Sequence, residues 1–189
     1  MNRRELLKLI TAATGTAMVG GTAALAGCAT GSREAQPPTY TFTEEDVRLL
    51  DEVAETILPR TDTPGAKDAR VGAFMKVFVT DCYTPQEQAL FHGGLPQLEA
   101  SAEARYGQRF MALDTAQRTE LIRELDREAK AVLAASGRLH YFTLIKQLTL
   151  FGFFTSEVGG TEVLRYVAIP GRYDGCMPYE EGERAWATR

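Results

Sequence analysis

Residues 43–59 read TEEDVRLLDEVAETILP, and this stretch decides the fold class. Thr43 stands before Glu44, Glu45 and Asp46, a side-chain cap followed by acids in the first turn, where the helix dipole favours them. Val47, Leu50, Val53, Ala54, Ile57 and Leu58 then recur at helical spacing until Pro59 stops the pattern. Downstream, residues 59–68 carry two prolines and a glycine and read as a structured loop. A second helix is expected near 70–83, with Val71, Phe74, Val77 and Phe78 on one face. Thr84-Pro85-Gln86-Glu87 is a start signal of three parts: a capping Thr, Pro at the first helical position and Glu to close the box. That third helix is expected to bend at Gly93-Gly94-Leu95-Pro96 and resume to Tyr106. Asp114 with Gln117 opens a fourth, holding Leu121, Ile122, Leu125, Ala129 and Leu133. A fifth, over 139–154, is apolar around most of its circumference. No run alternates for long with the period of two that a strand requires. The reading is an all-α domain over 44–189. It is a small irregular bundle of about five to seven helices, with a long Pro/Gly-containing loop and an extended C-terminal tail.

Composition narrows the function classes. The 189 residues carry a formal charge of −4, with 44% hydrophobic and 24% charged residues, enough for one domain with a core. Nine Phe, seven Tyr and one Trp are too much apolar area for a disordered chain. With 21 Lys and Arg against 25 Asp and Glu there is no basic footprint for nucleic acid. Two His and three Cys cannot supply a zinc cluster, a four-Cys iron–sulfur site or a CxxCH haem attachment.

Upstream of the helices the chain is laid out for export. Arg3 and Arg4 head a charged start, and an uncharged stretch rich in Ala, Gly and Thr follows to Gly27. Gly15, Gly20, Gly21 and four Thr dilute it below what a permanent membrane helix needs. The arginine pair resembles a twin-arginine signal, with Asn2 and Leu6 departing from its usual Ser/Thr and Phe. Leu25-Ala26-Gly27-Cys28 resembles a lipobox, so residues 1–27 are expected to be removed and Cys28 lipidated. Ordinary cleavage at Ala23, Ala24 or Ala26 is the alternative. Residues 28–43, polar and carrying Pro37-Pro38, read as a flexible tether.

Candidate chemistry within the domain is sparse. His92 and His140 have no partner at metal-binding spacing, and His140-Tyr141-Phe142 reads as packing rather than catalysis. No GxGxxG follows a strand. Glu120, Glu124, Glu128 and Asp126 beside Arg118, Arg123, Arg127 and Lys130 read as a solvated, charge-paired surface. Ser136 and Ser156 lack the context of a nucleophile. Cys82 and Cys176, an even pair once Cys28 is assigned to lipid, are expected to form a disulfide, to stand as two separate thiols, or to leave Cys176 facing a partner. The aromatic excess is the most informative feature. Phe142, Phe151, Phe153 and Phe154, with Leu144, Leu148 and Leu150, exceed what one helix face buries. A tail with Tyr166, Arg172, Tyr173 and Tyr179 follows. Phe151, Phe153, Phe154, Tyr166, Arg172, Tyr173 and Tyr179 are therefore the candidate contacts for a partner protein, with core packing the competing reading for the Phe residues.

Three segments in order carry a resemblance: Ile57-Leu58-Pro59-Arg60-Thr61-Asp62-Thr63-Pro64-Gly65-Ala66, then Leu148-Thr149-Leu150-Phe151-Gly152-Phe153-Phe154-Thr155-Ser156-Glu157, then Pro170-Gly171-Arg172-Tyr173-Asp174-Gly175-Cys176. From Glu44 to Pro178 the chain resembles the gluconate 2-dehydrogenase subunit 3 family. The resemblance implies a non-catalytic small subunit of a membrane-associated dehydrogenase complex that oxidises a sugar or polyol. It places FAD, with or without an iron–sulfur cluster, in a large glucose–methanol–choline-type flavoprotein, and haem c in a cytochrome c subunit. It implies no cofactor, metal or catalytic residue in this chain. It also implies that this chain's twin-arginine signal takes the folded flavoprotein to the periplasm. The lipobox is not a defining feature of the family, and on its own it points to a complex anchored at a membrane through Cys28 of this subunit. The competing expectation is a free-standing envelope lipoprotein that binds a ligand or acts as a scaffold.

Overall fold

Thr43 does what its position predicts: its hydroxyl accepts the Asp46 N–H, and the Asp46 carboxylate accepts the Thr43 N–H in return. The computed structural model describes residues 40–169, 171, 175–178 and 180–187. Arg3, Arg4, Cys28, the tether before Tyr40, and Arg172, Tyr173 and Tyr179 lie outside the described residues.

Five α-helices follow: α1 (Glu44–Ile57), α2 (Val71–Cys82), α3 (Pro85–Tyr106), α4 (Thr115–Ser136) and α5 (Tyr141–Phe154). A 3-10 turn, Phe110–Ala112, joins α3 to α4, and a π-helical turn, Gly159–Val163, follows α5. The protein is a small all-α bundle. Reciprocal capping boxes open α1, α3 and α4 at Thr43, Thr84 and Asp114, and left-handed glycines, Gly107 and Gly137, close α3 and α4. α3 runs unbroken through Gly93-Gly94-Leu95-Pro96, where the sequence suggests a bend. Pro96 is exposed and removes only the bond to the His92 carbonyl, while Phe91, Leu95 and Leu98 on either side are held in the core.

α5 is the central element, in contact with the other four helices. Its Tyr141, Phe142, Leu144, Ile145, Leu148 and Phe153 are all buried, against Leu50 and Val53 of α1, Met75 and Val79 of α2, Phe91 and Leu98 of α3, and Leu121 and Leu125 of α4. Thr149 is its one buried polar side chain, and its hydroxyl donates to the Ile145 carbonyl. That bond removes the desolvation penalty an unpaired hydroxyl would carry.

Beyond the π turn the described residues of the tail lie outside the helices and close into a loop. Arg165 donates its N–H to the Ala185 carbonyl at 2.8 Å and accepts from Ala187 at 3.0 Å, forming a single parallel bridge with Trp186. The Arg165 guanidinium lies 4.7 Å from the Trp186 ring centroid and 3.0 Å from the Glu183 carboxylate. Arg184 donates to the Thr161 and Glu162 carbonyls at the end of the π turn. Among the described residues no helix is long and apolar enough to cross a membrane.

Candidate partner-binding surface

α2 is apolar nearly all round, so once it has buried Val71, Met75 and Val79 it has apolar side chains left over. Phe74 and Phe78 are half-buried and Val77 is 59% exposed. α5 has the same surplus: Leu150, Phe151 and Phe154 remain exposed, Phe151 by 48%. The two surpluses meet. The Phe151 ring stands 5.7 Å from Phe74 and 5.5 Å from Phe78, edge to face in both cases, and Phe74 and Phe78 are 5.5 Å apart. Gly152 makes this approach possible, since a Cβ there would lie 2.5 Å from Cδ1 of Phe74. Phe78 extends the row to Tyr83 at 5.7 Å.

At the last residue of α5, Phe154 turns toward the tail. It lines a surface groove of about 420 Å³ with Ser156, Glu157, Thr161, Tyr166 and Ala187. Phe151, Phe154 and Tyr166 thus occupy one side of the molecule, with Tyr166 half exposed. Phe153 does not join them. It is 3% exposed and belongs to the core, because it points from α5 into the bundle while Phe151 and Phe154 point out. Burial therefore removes it from the candidate contacts. What the sequence reading missed is the share of α2. The signal was present in the apolar run Val77-Phe78-Val79, which one buried stripe cannot absorb.

The other singled-out groups have structural occupations. The His140 Nδ1 accepts the Phe142 N–H at 3.3 Å and caps α5, a role beyond the expected packing. His92 is stacked 4.8 Å from Tyr40 and 4.2 Å from Phe42; burial pushes its pKa down, against the pull of nearby Asp46. Arg105 bridges Glu120 at 2.6 Å and Glu124 at 2.5 Å, tying α3 to α4. Lys146 and Lys130 both reach Asp126 and hold its carboxyl below the ordinary range. Cys82 and Cys176 are exposed and not joined to each other, so the disulfide reading is not what this structure holds. Among the described residues no three His, Cys, Asp or Glu side chains are grouped to hold a metal.

The loop over 59–68 is wired from behind. The Glu55 carboxylate accepts the N–H groups of Arg60 at 2.8 Å and Lys67 at 2.9 Å, and Asp68 accepts the Gly65 N–H at 2.8 Å and pairs with Arg60. Ala66 is fully buried beneath it, leaving Arg60 to Thr63 exposed as a fixed polar corner.

Nothing matches this chain among curated proteins or among solved structures. The family model for gluconate 2-dehydrogenase subunit 3 matches residues 44–171, which span all five helices, the wired loop, the aromatic side of α5 and the π turn. With that match over more than half of its length, the chain belongs to the gluconate 2-dehydrogenase subunit 3 family.

Proposed function

We propose that this chain is the non-catalytic small subunit of a periplasmic, FAD-dependent sugar or polyol dehydrogenase complex. It escorts and stabilises a large flavoprotein of the glucose–methanol–choline type, and a cytochrome c takes the electrons. The observation that carries this reading is the family match across every helix of the domain. The start of the chain supports the export role. A paired-arginine signal serves cargo that folds before it crosses, and a flavoprotein must fold around its cofactor in the cytoplasm. The lipobox-like Cys28 supports attachment of the complex to a membrane through this subunit.

In this reading FAD sits on the partner. A dinucleotide pyrophosphate seeks a helix N-terminus with free N–H groups. In this chain Thr43, Thr84, Asp114 and His140 each accept an N–H of the helix they cap. α2 lacks a side-chain cap of its own, but the Asp51 carboxylate accepts the Gly72 N–H in its first turn at 2.7 Å. Among the described helices, one N–H group at each start thus has an acceptor from the chain itself.

The test is a pull-down of the tagged full-length protein from its native envelope, with an absorbance spectrum of the eluate. A stoichiometric large polypeptide with flavin bands is expected, and it would supply the enzyme for a screen of gluconate, glucose, other aldoses and glycosides. A lone colourless chain after gentle solubilisation would overturn the reading.

A further inference from the structure

We infer that the large catalytic subunit docks on the phenylalanine face shared by α2 and α5, rather than on the tail alone. This rests on the reading of the chain as a subunit of a dehydrogenase complex. Three observations carry it. The face is the place where two helices leave apolar surplus side by side: Val77 of α2 and Leu150, Phe151 and Phe154 of α5 are exposed, and Phe74 and Phe78 of α2 are half-buried against Phe151. Scattered exposed apolar residues need no explanation, but a contiguous aromatic cluster on a small domain marks a site of interaction.

The second observation is the distribution of charge. The ion pairs among the described residues draw on α1, α3, α4, the loop over 59–68, Lys76 and Lys146, and the tail. The phenylalanine face is built from uncharged Val, Leu and Phe side chains, with Lys76 of α2, paired to Glu44, beside it in sequence. Aromatic enrichment with depletion of charge is the composition of the buried centre of an interface, and the surrounding charged surface is that of its rim.

The third observation is rigidity. Phe151 is braced edge to face by Phe74 and Phe78, and Phe74 is seated against Gly152. A surface already fixed in one arrangement loses little entropy when a partner covers it. As for what covers it, the family is that of a numbered subunit of a multi-subunit enzyme, so the occupant is a different chain of that enzyme. Its matching surface is apolar and free of unpaired charge.

The experiment uses the full-length tagged chain with its native partners. Val77→Asp puts a charge at a position where the free subunit is already in water, so folding is spared and only a covered interface is harmed. Recovery of the large subunit is expected to fall about tenfold or more, with an unchanged melting temperature. Leu133→Asp, at an exposed leucine of α4, is expected to leave recovery at the wild-type level. As a measurement independent of folding defects, Val77→Cys is expected to react with a maleimide in the isolated subunit and to be protected in the complex. Labelling at the native cysteines, including the exposed Cys82 and Cys176, is told apart by peptide mapping. Full recovery with Val77→Asp, or equal labelling of Val77→Cys in both states, would overturn the face while leaving the subunit reading intact. A wild-type pull-down with no large subunit would overturn that reading itself. A dimer of this chain, or vesicle binding, that Val77→Asp abolishes would overturn the inference in favour of a second copy or a lipid surface.

Discussion

Gly93 and Gly94 are adjacent in one helix and make opposite demands. A Cβ on Gly94 would fall into the Tyr141 ring, 2.5 Å from its Cβ, whereas a Cβ on Gly93 would meet nothing within 4 Å. In an exposed helix interior Gly→Ala is favourable by about 1 kcal/mol. Gly93→Ala is therefore expected to raise the denaturant midpoint. Gly94→Ala should lower stability by about 1–3 kcal/mol, because Tyr141 is buried and cannot yield without disturbing the core of α5. Equal midpoints for the two variants would refute the close approach. His92 gives a pH prediction. Its imidazolium is disfavoured by burial between Tyr40 and Phe42, so its pKa in the folded state lies below the unfolded value of about 6.5. The unfolded chain then binds the proton more readily. The contribution of this site is complete above the unfolded pKa and is lost as pH falls through about 6.5 toward the folded value. Melting temperatures measured from pH 7.5 to 5.5 should decline in the wild type by a component that His92→Gln lacks. The sequence shows two glycines and a proline and suggests a bend. It cannot show Tyr141, whose approach depends on how α5 lies across α3.

Capping is local, and so the elements were the most legible part of the chain. Thr43, Thr84 and Asp114 each find their partners three residues on, and all three boxes form where the residue types call for them. The loop over 59–68 was legible as ordered, since two prolines and a glycine restrict it, but not in the cause of its order. That cause is Glu55, a residue of α1 that periodicity assigns to a polar face and nothing more. Two loop N–H groups donate to its carboxylate. Glu55→Ala leaves both without their acceptor, and a loss of about 1–2 kcal/mol is expected. Faster limited proteolysis between Arg60 and Thr63 should accompany it. Wild-type melting together with wild-type protease resistance would show that Asp68 and the prolines order the loop alone. The candidate contacts divide along the same line. α5 was legible as too apolar for one buried stripe. Which of its phenylalanines stay out was not, because that depends on α2: Phe151 meets Phe74 and Phe78 at the surface, while Phe153, two residues on, turns into the core.

At the scale of the whole molecule, the proposed export signal, the proposed lipid anchor and the proposed docking face can be tested against one another. If Arg3 and Arg4 address the chain and the phenylalanine face holds the cargo, then two unrelated lesions should produce one phenotype. Arg3→Lys with Arg4→Lys leaves the charge unchanged and the face intact, and should strand both this subunit and the flavin-loaded large subunit in the cytoplasm. Val77→Asp leaves the signal intact, so this subunit should be exported while the large subunit stays behind. Cys28→Ser should do neither: both subunits should reach the periplasm, now in its soluble fraction rather than at the membrane. Fractionation with a flavin assay on each compartment reads all three variants in one experiment. The escort mechanism requires this order, since carriage through a small subunit works only if association precedes translocation. A large subunit found in the periplasm with the paired-Lys variant would mean that it carries its own route across. A large subunit exported normally with Val77→Asp would mean that the cargo is gripped elsewhere than on α2 and α5.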